Sequence, residues 1–199
     1  MKIFLIRHGL KDTTSGDPSL STKGRLQARL TGKYLKQFPI NKIVSSPFAR
    51  TKQTAEIIGR ELKLPFTVDD KLTERMNWGD FPSQSFDDFL EEWNKTTYDR
   101  DYIPQTGDSS RNAGKRLESI IKEEFLFDPT QNLVLVTHGG IITDFLRNVF
   151  TEEDLINSNK DFFENISTTL IRECSVTRIN FDGKYSVESI GTTDHLASY

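Results

Sequence analysis

Two short apolar runs, far apart in the chain, each end in a histidine followed by glycine. Ile3-Phe4-Leu5-Ile6 leads into Arg7-His8-Gly9, and Leu133-Val134-Leu135-Val136-Thr137 leads into His138-Gly139-Gly140. Unbroken β-prone runs bounded by glycine read as strands buried on both faces, the kind found inside parallel sheets. Open α/β sheets place their ligands just beyond the carboxyl ends of such strands. Imidazole, guanidinium and bare backbone at two such ends suggest a site for an anion and a nucleophile.

The 199 residues, 35% hydrophobic and 28% charged, suit one globular domain spanning 1–199. A net charge of −3 gives no reason to expect a nucleic acid or an anionic membrane as partner. An anion site must therefore be built locally. Cys174 is the only cysteine, so no intrachain disulfide can form, and a reducing, cytoplasmic setting is expected. The four apolar residues before Arg7 are too few for a signal peptide. No run approaches the ~20 apolar residues of a membrane span.

Residues 10–19 are turn-rich and read as a loop. Ser21 can cap a helix with Leu26, Leu30, Tyr34 and Phe38 as its buried stripe. Lys42–Ser45 is a second strand. Ser46 and Pro47 form a cap and first-turn pair for a helix with Ala55, Ile58 and Leu62 inward. Phe66–Val68 is a brief strand, and Ser85 opens a helix with Phe86, Phe89, Leu90 and Trp93 on one face. Asp108 or Ser109 caps a long helix bearing Ala113, Leu117, Ile120, Ile121 and Phe125. After the strand at 133–137 comes a helix with Ile141, Ile142, Phe145, Leu146 and Val149 inward. Ser175–Phe181 and Tyr185–Ile190 flank Asp182-Gly183, a hairpin signal. This order predicts a three-layer α/β/α sandwich with a largely parallel sheet and a late antiparallel hairpin.

Three strand ends can then converge: Arg7 and His8, Ser45 and Ser46 with Arg50 in the following helix, and His138. The helix opened near Arg50 and the one opened by Gly139-Gly140 each offer N–H groups to an anion. Arginine matches phosphate oxygens with a fixed fork of donors. Singly, each residue has an ordinary structural or surface role. Together they occupy equivalent strand ends and include two of only three histidines. The third, His195, lies in a polar tail and reads as structural.

The residues resemble the histidine phosphatase superfamily, the phosphoglycerate-mutase-like clan. Arg7-His8-Gly9 is similar to its signature, and residues 17–28 to the element that follows. Ser45 to Ala55 resembles the second arginine block, Leu72-Thr73-Glu74 with Trp78-Gly79-Asp80 the acid-bearing segment, and Gly107-Asp108-Ser109 a Gly-Glu-Ser element with Asp for Glu. Thr137-His138-Gly139-Gly140 is similar to the second histidine motif. These matches run in order along nearly the whole chain.

The resemblance implies a metal-independent, cofactor-free, acid-type histidine phosphatase acting on a small phosphorylated metabolite. His8 would be the nucleophile, since neutral imidazole is a good one near neutral pH. Arg7, Arg50, His138 and Gly139 would hold the phosphoryl group with His8, and Glu74 would serve as general acid and base. Arg75 beside it reads as facing solvent, with support of the site or a substrate contact as the alternative. Mutases of this clan carry a longer loop after the first histidine and insertions at the site mouth. Here residues 10–16 are short, which favours hydrolysis. The segment 76–106, with Trp78, Phe81, Phe89, Trp93, Tyr98, Arg100 and Tyr102, would form a specificity lid. A phosphoglycerate mutase using the same site, or a protein that binds phosphorylated ligands without turnover, remain open alternatives. Nothing in the sequence specifies an oligomeric state.

Overall fold

The computed structural model describes residues 1–164 and 170–197, which include every candidate site residue. Its elements run β1 (Lys2–Arg7), α1 (Thr22–Leu35), β2 (Lys42–Ser45), α2 (Ala49–Leu62), β3 (Thr67–Val68), α3 (Phe86–Tyr98) and α4 (Ser110–Phe127). There follow β4 (Asn132–Thr137), α5 (Gly139–Val149), α6 (Glu152–Ser158), β5 (Val176–Phe181) and β6 (Tyr185–Thr192). The strands form one sheet in the order β3-β2-β4-β1-β5-β6. Strands β3, β2, β4 and β1 are mutually parallel, whereas β5 runs antiparallel to β1 and β6 antiparallel to β5.

Alternation along the central strands builds two cores. Ile3 and Leu5 of β1 pair with Leu133 and Leu135 of β4 and pack with Leu117, Ile121, Ile142 and Phe145 of α4 and α5. Phe4 and Ile6, paired with Val134 and Val136, face Leu35, Ala55 and Ile58 of α1 and α2. A strand buried on both faces needs an apolar residue at every position, which is why these runs are unbroken. The three-layer α/β/α architecture is as expected, and the Asp182-Gly183 turn closes the late hairpin with Gly183 at φ 103°.

Three local readings are corrected. Leu26 is 46% exposed, and α1 instead turns Gly24, Ala28, Leu30, Gly32 and Leu35 inward. The cause is close helix packing: a Cβ on Gly32 would lie 2.9 Å from Glu61 Cβ of α2. Phe38 lies beyond the helix end, half-buried against the second core. Ser46 does not cap α2, whose N-cap is Phe48 with no side-chain bond of its own. Finally, α6 is an additional helix, opened by a reciprocal Thr151–Asp154 capping box. The other expected caps, Ser21, Ser85 and Ser109, each accept a backbone N–H at their helix start.

Candidate active site

The register of three adjacent parallel strands brings the candidate residues together. β1 lies beside β4, and β4 beside β2. The ladder continues one residue past the strands: His8 N–H donates to Thr137 O, and Ser46 N–H to Val136 O, both at 2.9 Å. His8 and His138 thereby face each other with ring centroids 5.3 Å apart.

His8 is 5% exposed. Its Nδ1 lies 2.8 Å from Gly9 O. A carbonyl can only accept, so Nδ1 carries the proton and Nε2 keeps its lone pair. Burial, reinforced by the charges of Arg7 and Arg50, holds the His8 pKa well below its usual 6.5. The ring is therefore neutral near pH 7. Gly9 is required by close approach: a Cβ there would lie 2.5 Å from Gly24 O in α1. Its N–H donates to Thr54 Oγ1 of α2 at 3.0 Å, anchoring the turn after His8.

His138 is fully buried at the head of α5, with Nε2 2.8 Å from Ser46 Oγ and the Phe48 ring edge-on at 5.3 Å. Burial, then Arg50, His8 and Arg7, lower its pKa well below normal. Arg50, the second residue of α2, is 3% exposed. Its guanidinium lies 4.4 Å from the Phe48 ring centroid, and Nη2 donates to Asn77 Oδ1 at 3.1 Å. Arg7 donates from Nη1 to Ile171 O at 2.7 Å and pairs through Nη2 with Glu173 at 2.7 Å. Among the described residues, four buried nitrogens of this cluster have no hydrogen-bond partner: Arg7 Nε, Arg50 Nε, Arg50 Nη1 and His138 Nδ1. Arg50 Nη1 does approach Asp17, at 3.6 Å, beyond hydrogen-bond reach.

Neither helix terminus is simply open to an anion, contrary to the sequence expectation. Asp17 accepts the Ala49 N–H at 2.7 and 2.9 Å, capping α2 from the loop before α1. Glu74 Oε2 accepts Gly140 N–H, and Oε1 accepts Ile141 N–H, each at 2.8 Å. Oε1 also accepts Arg75 N–H at 2.9 Å. Oε2 thus holds one bond and has a lone pair to spare. A carboxylate at a helix N-terminus is favoured by the macrodipole. Gly140 permits this contact, because a Cβ would lie 2.6 Å from Glu74 Oε1 and 2.5 Å from Trp93. Gly139 lies against the Arg7 side chain.

Arg75 does not face solvent. It is 2% exposed, bonded twice to the fully buried Asp144 at 2.8 and 3.0 Å, with its guanidinium 3.8 Å from the Trp93 ring centroid. It also donates to Thr97 Oγ1. Sequence reading of a charge beside a carboxylate defaults to the surface; only the tertiary position of Asp144 reveals the pair. Asp108 supports the same segment, its N–H donating to Arg75 O at 2.7 Å. His195 is structural as expected, its Nε2 3.0 Å from Thr31 Oγ1 and its ring stacked on Tyr34.

These groups line a cavity of about 570 Å³. Arg7, His8, Arg50, Glu74, His138 and Gly139 all border it, and so do Lys11 and Asn77, which the sequence reading did not single out. Their only signal was position: Lys11 follows the first histidine closely, and Asn77 follows Glu74. Of the residues expected to form a lid, Trp78, Phe89 and Trp93 line the cavity. Phe81, Tyr98, Arg100 and Tyr102 do not. Arg100 instead donates to Asp144 O and Arg147 O of α5, and Tyr102 to Glu92.

Paired imidazoles and two guanidinium groups thus meet at the carboxyl edge of a parallel sheet, a donor set that suits an anion. The chain belongs to the histidine phosphatase superfamily (branch 1), whose profile matches residues 3–189. It is 29% identical over 205 residues to the Bacillus subtilis protein named "Uncharacterized phosphatase PhoE", covering 99% of this chain and 97% of that one. It is 24% identical to a "Probable phosphoglycerate mutase GpmB" of Salmonella arizonae, covering 98% of this chain and 95% of the relative. In fold it is similar to a mycobacterial glucosyl-3-phosphoglycerate phosphatase solved with VO3. That comparison has a TM-score of 0.74 at 21% identity, covering 96% and 99% of the two chains. Among the described residues, no helix is long and apolar enough to cross a membrane.

Proposed function

We propose that the chain hydrolyses small phosphomonoesters through a phosphohistidine at His8. The observation that carries this reading is the set of four buried, unpartnered nitrogens on Arg7, Arg50 and His138 beside a histidine with a free Nε2. An unsatisfied buried donor costs about 1–3 kcal/mol, so a cluster of them is built for an anion that completes the bonding. In this reading the phosphoryl oxygens accept from Arg7, Arg50, His138 and the Gly139 backbone. His138 serves as a donor in the tautomer where Ser46 Oγ–H donates to Nε2 and Nδ1 carries the proton.

The His8 Nε2 lone pair attacks phosphorus in line, the P–O bond breaks, and protonated Glu74 gives its proton to the leaving oxygen. Glu74 then takes a proton from water as the water oxygen attacks phosphorus and the N–P bond breaks. Arg7 and Arg50 stabilise the transferring group's charge, the role a metal plays in other phosphoryl transferases. No metal or cofactor enters the scheme. A cytoplasmic setting belongs to the same reading, because Cys174 is the only cysteine and no intrachain disulfide can form.

The name of the B. subtilis relative supports hydrolysis, and that of the S. arizonae relative keeps a mutase in view. The short loop at 10–16 favours water as acceptor. Phosphate release from a panel of phosphomonoesters tests the proposal, with 3-phosphoglycerate and a bisphosphoglycerate primer included. Fast primer-dependent isomerisation with little phosphate release would transfer the assignment to a mutase.

A further inference from the structure

Helix α3 has an apolar face that does not join the core. Its only buried residues are Thr96 and Thr97. Phe86, Phe89, Leu90 and Trp93 belong to neither core nor satellite cluster among the described residues, and Phe86 is 50% exposed. All four line the active-site cavity. Trp78 extends the row: Trp78 to Phe86, Phe86 to Phe89 and Phe89 to Trp93 are ring neighbours at 5.0, 6.2 and 5.9 Å. Among the described residues, the rings of Trp78, Phe86 and Phe89, with Trp93 covered on one side by Arg75, thus border the cavity that opens onto His8. A row of rings on one helix face is ordinarily core; here the sheet and its covering helices are packed without it.

Charge is distributed just as unevenly. Among the described residues, the cations lining the cavity are Arg7, Lys11 and Arg50, and the charge of each acts on His8. They sit at the phosphoryl end. Beside the aromatic row, the Arg75 guanidinium lies over Trp93 and is paired with Asp144. A second anionic group carried away from the phosphate would therefore leave water without meeting a counter-charge, which is costly. An uncharged aromatic body would instead remove apolar surface from water on both partners and stack on the rings.

Resting on the phosphatase reading above, we infer that this aromatic row is the leaving-group subsite, and that the substrates are phosphate monoesters of bulky, uncharged aromatic alcohols. Phosphorylated acids and small polyols are then poor substrates. Lys11 is a third cation for the phosphoryl group itself, its Nζ having only a long 3.5 Å bond to Asp12 O.

The test compares 2-naphthylmethyl, benzyl and glycerol phosphates with 3-phosphoglycerate. All are alkyl esters, so differences in kcat/KM chiefly report binding of the alcohol. The expected kcat/KM rises about tenfold per ring, the scale of a partly buried aromatic surface, and is lowest for 3-phosphoglycerate. Phe86→Ala and Phe89→Ala, checked for fold by circular dichroism, should shrink the naphthylmethyl-to-glycerol ratio. Inhibition by inorganic phosphate should keep its strength. Glycerol phosphate or 3-phosphoglycerate turned over as well as the aromatic esters would overturn the subsite while leaving the phosphatase reading standing. So would a ratio unmoved by either variant. Release of phosphate from none of the esters would remove both.

Discussion

At the scale of single residues, the site depends on donors held without protein partners. Truncating a charged oxyanion donor costs ~10²–10³ in rate, so Arg50→Ala should lower kcat by that factor. Its circular dichroism should be preserved, and steady-state kinetics with an aryl phosphate checks the loss. Arg75 has a different part to play. It is buried against Asp144, whose pKa burial pushes up to about 6 even with Arg75 opposing the shift. Removing one partner of such a pair strands the other charge, at a cost of ~3–5 kcal/mol. Arg75→Met should therefore lose about that much in urea unfolding, and adding Asp144→Leu should restore most of it. Loss in Arg75→Met of less than a few tenths of a kcal/mol would remove the ion pair from the account.

At the scale of elements, α5 does two jobs: it follows the strand that delivers His138, and its first N–H groups hold Glu74. Gly140→Ala places a methyl against both Glu74 and Trp93, so it should displace Glu74, the acid of the proposed mechanism, without touching His8. Its kcat should fall far more for alkyl than for nitrophenyl phosphates, because only a poor leaving group needs the proton. A Glu74→Gln variant should show the same split, and a uniform loss across leaving groups would argue against Glu74 as the acid. The strands, most caps and the two histidine ends were legible in the sequence, because burial on both faces demands unbroken apolar runs with sharp glycine boundaries. What escaped was tertiary. Asp17 reaching Ala49 and Arg75 reaching Asp144 join residues with no shared local pattern, and Ser46, at a strand end expected beside His138, turns its hydroxyl to that ring instead of capping α2. Leu26 was misplaced because four-residue spacing cannot tell a wide apolar face from one that packs on small residues.

At the scale of the whole molecule, the chain keeps its histidines neutral at a cost that shows as acid sensitivity. Burial lowers the pKa of His8, His138 and His195 below the usual 6.5. As pH falls through 6.5 the unfolded chain takes up protons that the folded chain refuses, so stability present above that value is lost on acidification. The Tm should drop between pH 7.5 and 5.5, and His8→Asn should flatten that drop; an equally steep decline in the variant would contradict a neutral, buried His8. The central claim is that His8 Nε2 carries the phosphoryl group between ester and water. Its most direct test is rapid acid-free quenching of the enzyme during turnover of an aryl phosphate, followed by peptide mass spectrometry. The account predicts a phosphoryl group on the peptide containing His8, stable in alkali, lost in acid and absent from His8→Ala, which should release no phosphate. An unmodified His8 peptide at steady state together with undiminished hydrolysis by His8→Ala would contradict it.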